Sequence, residues 1–365
     1  MNKITHGKWN FDNNSGKHTF KITNDTFDNN YFQYEESTDN TDEMKDFRRA
    51  SIIHRIVRSE VKKVLHDKIK FIDIINTADT VLDKLKKDNK NIGYAFPIGI
   101  SVNEIVVHDS TFFINDPRCL RKGDVVKIDI GIHVNGHIID SAFTEIVDEN
   151  IEEHSLYPLI EASRDATFSC IALSGVDVRI KELSEVIQEV IESYEVNGEK
   201  IHAIEGLGGH NILPYQVHGG KLILSVPDSI QDNMIMKENE IYAIETFAST
   251  GYGKVTQVLD DKNKPMTHFM MNRKIFEYST SRMNKLLKND FMNWVVNERK
   301  GMPFTPLWCS HIKNALKEIN QRVMNGDVVA FPALTDKIGS FTSQLEHTIY
   351  IGDKKLEILS LGNDY

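Results

Sequence analysis

One dipeptide, Asn135-Gly136, constrains this chain more than any other feature, because long runs of β-branched and apolar residues flank it on both sides. The runs extend from Val125 to Val134 and from His137 to Val147. Asn-Gly between two such runs is the strongest short-range signal for a two-residue type I′ hairpin turn, whose central residues both need positive φ. That turn predicts a register. Val134 pairs with His137, Gly131 lies opposite Asp140, and Asp129 lies opposite Ala142, so Asp129 and Asp140 are diagonal neighbours on one face of the ribbon. Their strand neighbours are apolar. Two carboxylates held there repel each other and lose hydration energy unless a cation sits between them. The spacing raises a metal site, against a bland reading in which one Asp is a solvated strand residue and the other a turn former.

A chain of 365 residues can hold one large domain or two smaller ones. Its formal net charge of −10 favours solubility and argues against nucleic-acid binding by the chain as a whole. Cys119, Cys170 and Cys309 lie far apart, without CxxC or Cys/His zinc spacing, which fits free thiols in a reducing compartment. No stretch approaches the roughly 20 apolar residues of a membrane span, and polar residues follow Met1. A cytoplasmic protein is expected.

Residues 1–41 are rich in Asn, Asp, Thr and Ser and read as a loosely packed polar arm. From Asp42 the apolar residues Phe47, Ala50, Ile53, Val57 and Val61 recur at helical spacing, with Thr41 as a cap. A second helix is expected over 72–87, a short strand over 102–107 that ends on His108, and two packing helices over 154–173 and 179–194. Asn197-Gly198 marks a further tight turn, and Gly206 to Gly209 lead into His210. Glycine backbone at such a place lets a ligand approach closely, although the run lacks a phosphate-loop ending.

Shifted by 116 positions, RKGDVVKID, ending at Asp129, falls on KENEIYAIE, ending at Glu245. The segments 328–333 and 344–351 resemble a further hairpin, now carrying Glu346 in QLEHTIYI. Two similar halves, each bringing carboxylates on strands, would converge on a shared site. Asp129, Asp140, His210, Glu245 and Glu346 form an oxygen-dominated set of five candidate ligands, which suits two divalent ions. Carboxylates with one imidazole accept Mn, Co or Fe at least as well as Zn, so the metal's identity stays open.

The motifs GYAFPIGIS, KIDIG, GHIIDSAFT, GGHNI, QVHGGK, AIETFASTG, THFMMN and QLEHTIYI occur in this order. In them the chain resembles the methionine aminopeptidases of the type 2 class, from about Asp46 to Tyr365. The resemblance implies an α+β pita-bread fold, pseudo-symmetric halves around a dinuclear metal centre, and removal of N-terminal methionine from new proteins with a small second residue, a metal-activated water being the nucleophile. It implies that Asp129 binds one ion, that Asp140 and Glu346 bridge both, and that His210 and Glu245 complete the second. His108 then positions the scissile amide, His218 hydrogen-bonds the carbonyl oxygen, and Glu245 carries the proton. Phe96, His268, Phe331 and Leu334 are expected to line the methionine pocket, with Gly209 close to the substrate backbone. Taken singly, each of these apolar residues reads equally well as core, and most of the 14 histidines as structural.

Departures from the pattern stand at Val106, Val107 and Asp109 around His108, at Gly208, and at Phe331 where Tyr is usual. The polybasic extension of many animal type 2 enzymes is absent. The catalytic domain is expected over 42–365, with a helical insert at 273–327 that separates Glu245 from Glu346 and reads as helices over 280–299 and 307–325. Between Arg273 and Asn325 ten Lys or Arg stand against four Asp or Glu, 10 − 4 = +6. A solvated face explains this charge; docking near ribosomal RNA through Lys285, Lys288 and Lys313 is the sharper alternative. A monomer acting on nascent polypeptides, without membrane contact, is expected. An Xaa-Pro aminopeptidase or prolidase, and a metal-free pita-bread protein that binds RNA or protein, remain open as rivals.

Overall fold

The computed structural model describes residues 7–12, 17–22, 33–34, 41–87, 89–258, 265–278, 280–353, 355–362 and 364. Within the expected polar arm, β1 (Gly7–Asp12), β2 (Lys17–Ile22) and β3 (Gln33–Tyr34) form a three-stranded antiparallel sheet. The rest of that arm lies outside the described residues. Helix α1 (Asp42–Lys63) starts at Thr41, whose hydroxyl accepts from the Met44 amide, and α2 (Phe71–Lys86) packs beside it. Their apolar stripes, Phe47, Ala50, Ile53 and Val57 on the one and Ile74, Ala78 and Leu82 on the other, are buried against the first sheet.

That sheet is built from β4 (Ile92–Tyr94), β5 (Gly99–Val102), β7 (Val125–Val134) and β8 (His137–Ile146), with β7 at its centre; β6 (Ile105–Val107) follows β5 in the chain. The hairpin forms in the register its turn implies, with Val134 opposite His137, Gly131 opposite Asp140 and Asp129 opposite Ala142. Asn135 and Gly136 both take positive φ. The expected single strand over 102–107 is two strands. Asn103 breaks it at φ 55°, held by bonds from its side chain to Asp124 and to the Val125 amide.

The second half repeats the plan. Helices α3 (Tyr157–Leu173) and α4 (Ile180–Ile191) cover a sheet whose central strands are β14 (Ile241–Ser249) and β19 (Thr342–Ile351). A tight hairpin of β9 (Glu195–Val196) and β10 (Glu199–Lys200) turns at Asn197-Gly198, and β11 (His202–Ala203) adds to β14. Strands β12 (Gly208–Ile212) and β13 (Leu222–Leu224) complete the near side and β20 (Leu356–Ile358) the far side. Beside the sheet, β15 (Thr256–Gln257) pairs with β18 (Leu334–Thr335), which also pairs with β6; β16 (His268–Met271) pairs with β17 (Val328–Phe331). The hairpin expected between 328–333 and 344–351 therefore does not form. The fully buried β19 takes the buried β14 as partner, and the half-exposed β17 takes β16.

Among the described residues no backbone ladder joins the two sheets; side-chain hydroxyls do. Thr348 Oγ1 accepts from the Asp140 amide at 2.8 Å and donates to the Asp140 carbonyl at 2.6 Å. Ser141 donates to the Glu346 carbonyl, and Thr144 Oγ1 both donates to the Gln344 carbonyl and accepts from its amide.

The insert is broken into shorter pieces than the two helices expected. They are α5 (Arg273–Tyr278), α6 (Thr280–Leu286), α7 (Asp290–Trp294), a π turn (Val295–Arg299), a 3₁₀ turn (Pro306–Cys309) and α8 (Ala315–Met324). Asn289 caps a new start at α7, and Asn314 takes a left-handed conformation before α8. Phe269, Phe291, Phe304 and Val328 give this region a small core of its own.

Candidate metal centre and substrate cavity

The hairpin register places Asp129 and Asp140 on one face of β7 and β8. On the other sheet Glu245 of β14 lies directly opposite Glu346 of β19, and β12, paired with β14, puts His210 opposite Ala243. The hydroxyl seam then brings the halves together. Asp140, His210 and Glu346 each offer a ligand atom within 4.8 Å of the others, and so do Asp129, Glu245 and Glu346. All five expected ligands thus meet, with Glu346 common to both groups. Beside them Gln344 Nε2 donates to Glu245 Oε1 at 2.6 Å and lies 3.5 Å from Asp129 Oδ2.

Burial first, and a neighbouring carboxylate second, push Asp140, Glu245 and Glu346 well above the usual carboxylate range. Burial raises Asp129 to about 7, opposed by the Gln344 amide. Burial also holds the His210 imidazole well below its ordinary value, hence neutral and able to ligate. Three buried oxygens, Asp129 Oδ1, Asp140 Oδ1 and Glu346 Oε2, have no hydrogen-bond partner among the described residues. Orphaned carboxylate oxygens crowded in this way are what a divalent cation satisfies, since its charge reverses the repulsion that protonates them. The donor set fits such ions.

The five candidate ligands, Gln344 included beside them, form one wall of a cavity of about 430 Å³. Phe96, His108, His268, Phe331, Met270 and Pro303 line another part, and Leu207, Leu224 and Phe247 a third. His218 stands at the exposed edge, its ring 4.0 Å from that of His210. His108 follows β6 in a left-handed conformation, φ 67°, a strained setting for a non-glycine residue. The Thr267 hydroxyl donates to its carbonyl, and its ring packs between His268 and Phe331 at 5.6 and 5.7 Å. Burial lowers His108 to about 4 and His268 to about 3, so both rings are neutral near pH 7 and each can donate one hydrogen bond.

Two expected pocket residues, Leu334 and Gly209, are not among those that line the cavity. Leu334, on β18 beside β6, packs with Val106, Ile204 and Phe247, the last of which does line it. Gly209 is forced by packing: a Cβ there would lie 2.3 Å from the Ala243 carbonyl oxygen. Gln344, Met270 and Pro303 were not anticipated. For Gln344 a signal existed, since it lies two residues before Glu346 and so on the same strand face. Among the departures, Asp109 is clamped by Arg118 at 2.7 Å and does not line the cavity. Gly208 has no room for a side chain, whose Cβ would meet the Ile223 carbonyl at 2.2 Å.

The sequence pattern of metallopeptidase family M24 matches residues 45–352. The chain belongs to that family. M24 relatives include methionine aminopeptidase 2 of Encephalitozoon intestinalis, 33% identical over 342 residues that cover 90% of each chain. Methionine aminopeptidase 2 of Kluyveromyces lactis is 38% identical over 343 residues, 88% of this chain and 76% of that one. Among solved structures, a thermophilic Arx1 superposes with a TM-score of 0.72 at 16% identity, covering 90% of this chain and 93% of that one. The Thermotoga maritima methionine aminopeptidase gives 0.59 at 19%, covering 89% and 99%. These M24 structures establish the pita-bread fold, an α+β architecture. No helix among the described residues is long and apolar enough to cross a membrane.

Proposed function

We propose that this M24 protein is a methionine aminopeptidase of the type 2 class that removes the initiator methionine from new proteins with a small second residue. One observation carries the reading: five ligand-type side chains converge in a cavity that Phe96, Met270 and Phe331 also line. Sulfur makes favourable contacts with aromatic edges, so a flexible thioether suits that lining. Asp129, Asp140, His210, Glu245 and Glu346 would hold two divalent ions, Mn, Co, Fe or Zn. When bound, such ions polarise a carbonyl and lower the pKa of water.

The remaining chemistry belongs to the chain. His218, at the cavity edge, donates to the scissile carbonyl oxygen as negative charge develops there. Neutral His108 donates to the amide and fixes its orientation. Glu245, tethered by Gln344, takes a proton from water and returns it to the leaving amine. Phe96, His268 and Phe331 enclose the methionine side chain and exclude water.

Metal content measured together with methionine release from a Met-Ala-Ser peptide tests the reading. Bound metal with release of methionine is expected. Metal-free protein without turnover, or cleavage only of Xaa-Pro peptides, overturns it.

On the same reading the protein works as a cytoplasmic monomer on nascent chains. The exposed Lys285, Lys288 and Lys313 of the insert face ribosomal RNA near the exit tunnel. Reversing all three charges should weaken co-sedimentation with ribosomes, and unchanged co-sedimentation rejects the contact.

A further inference from the structure

Arg299 is a buried guanidinium that spends its donors on backbone carbonyls. Its Nη2 donates to Tyr94 O at 2.9 Å, Ala95 O at 3.1 Å and Pro303 O at 2.8 Å, and its Nε donates to Pro303 O at 3.1 Å. The flat cation rests on Trp308 at 4.7 Å, and Trp308 in turn stacks on Tyr94 with ring centroids 5.8 Å apart. A charge taken out of water at this cost is retained where it fixes geometry, and a planar fork of donors is suited to holding several carbonyls at once.

The carbonyls it holds belong to the two segments that wall the cavity. Tyr94 and Ala95 immediately precede Phe96, whose ring lies against Gly131, and the Ala95 amide donates to the Gly131 carbonyl. Pro303 lines the cavity itself, and next to it Phe304 exchanges backbone hydrogen bonds with Phe269, between His268 and Met270. The π turn Val295–Arg299 ends on the arginine and aims it from the insert into the first half of the molecule. One side chain therefore joins the insert to the strap that carries Phe96.

We propose that Arg299 is a positioning residue for the substrate side chain: by tying the Tyr94-Ala95 strap to the Pro303 turn it sets the width of the slot between Phe96 and Pro303. The selectivity part rests on the proposed function; the positioning part does not. The insert thereby takes part in substrate selection, without touching the candidate metal ligands.

The test uses the full chain, metal-loaded, as wild type, Arg299→Lys, Phe96→Leu and the double variant, with Trp308→Phe as a milder change that leaves the arginine in place. Lysine keeps the charge and three donors but lacks the planar fork that spans these carbonyls while stacking on Trp308. Amide hydrogen exchange over residues 92–98, read by mass spectrometry, should accelerate about tenfold or more in Arg299→Lys, and less in Trp308→Phe. Unchanged exchange in a folded Arg299→Lys overturns the positioning role whether or not the protein is an aminopeptidase. If Arg299→Lys fails to fold, unchanged exchange in Trp308→Phe overturns it.

Kinetics on Met-Ala-Ser and Leu-Ala-Ser then read the consequence. Arg299→Lys should raise KM for the methionine peptide about tenfold, alter kcat less than about threefold, and shrink the Met-over-Leu preference. The double variant should be no less selective than Phe96→Leu, because both act on one wall. Additive losses of selectivity, or loss of metal in Arg299→Lys, reject slot setting as its mechanism. A wild-type chain that releases no methionine rejects the proposed function instead, and the exchange experiment still decides the positioning role.

Discussion

The ring of Phe96 lies so close over the α-carbon of Gly131 that a Cβ built there would sit 2.2 Å from the ring's Cε1. Gly131 is the residue opposite Asp140 in the hairpin, so the same position that aligns a candidate ligand strand also seats a wall of the cavity. Gly131→Ala forces the ring or the strand to move. Overpacking of this kind costs about 1–3 kcal/mol. Lower thermal stability is expected, with a rise in KM for a Met-Ala-Ser peptide; wild-type stability and kinetics in this variant would contradict the packing described.

Asp140→Asn removes one charge from a buried cluster of carboxylates that repel one another. With metal, activity should fall on the order of 10³-fold or more, since several kcal/mol of charge stabilisation depend on the ligand. Without metal the sign reverses. The chelator-treated variant should be roughly 1–2 kcal/mol more stable than chelator-treated wild type near pH 8, because a neutral amide relieves the repulsion. Denaturant titration of both metal-free proteins measures the difference, and a destabilised variant would show that the carboxylates do not strain the fold.

His218→Ala should lower kcat by roughly 10² to 10³ if the imidazole donates to the developing oxyanion. Its ring touches that of His210, so metal content must be measured in parallel. A loss of metal, or an effect confined to KM, contradicts the assigned role.

The metal-free chain should lose stability as pH rises. Asp129 is raised to about 7 in the folded state, and Asp140, Glu245 and Glu346 stand well above their ordinary range. Carboxylates of the unfolded chain titrate near 4. Groups raised in this way contribute stability that is complete below about pH 4 and is lost as pH rises through 7, where the folded state must release protons it holds more tightly. Chelator-treated protein should therefore melt about 5 °C lower at pH 8 than at pH 6. Added Mn²⁺ should restore more stability at pH 8 than at pH 6, because it competes with protons for the same oxygens. Equal melting at both pH values would dispose of the buried cluster.

Local signals carried the first half of the molecule. Asn135-Gly136 determines the register of its hairpin within two residues of chain, and so places Asp129 against Asp140 without further information. Pairing of Glu245 with Glu346 has no such turn, since the two lie 101 positions apart, and burial of both strands selects it. Gln344 was within reach, two residues before Glu346 on the same strand face. Arg299 counted as one more solvated cation in a basic insert, because nothing in a charge tally reveals that a guanidinium is buried on three carbonyls. Breaks at Asn289 and Asn314 shortened the insert helices through caps and a left-handed residue that apolar periodicity does not register.

The hydroxyl seam is where the two large sheets meet without a shared ladder. Along it, Thr348, Ser141 and Thr144 stand in for the continuous ladder that holds every other pair of neighbouring long strands. Each half is a leaf with its own helices, and the candidate ligands straddle the crease, Asp129 and Asp140 from one leaf, His210, Glu245 and Glu346 from the other. A cation gripped across that crease acts as a reversible crosslink, linking residues far apart in the chain as a disulfide would in an oxidising compartment. On the proposed function, metal supply then governs how long the two leaves stay shut as well as whether peptide is cut.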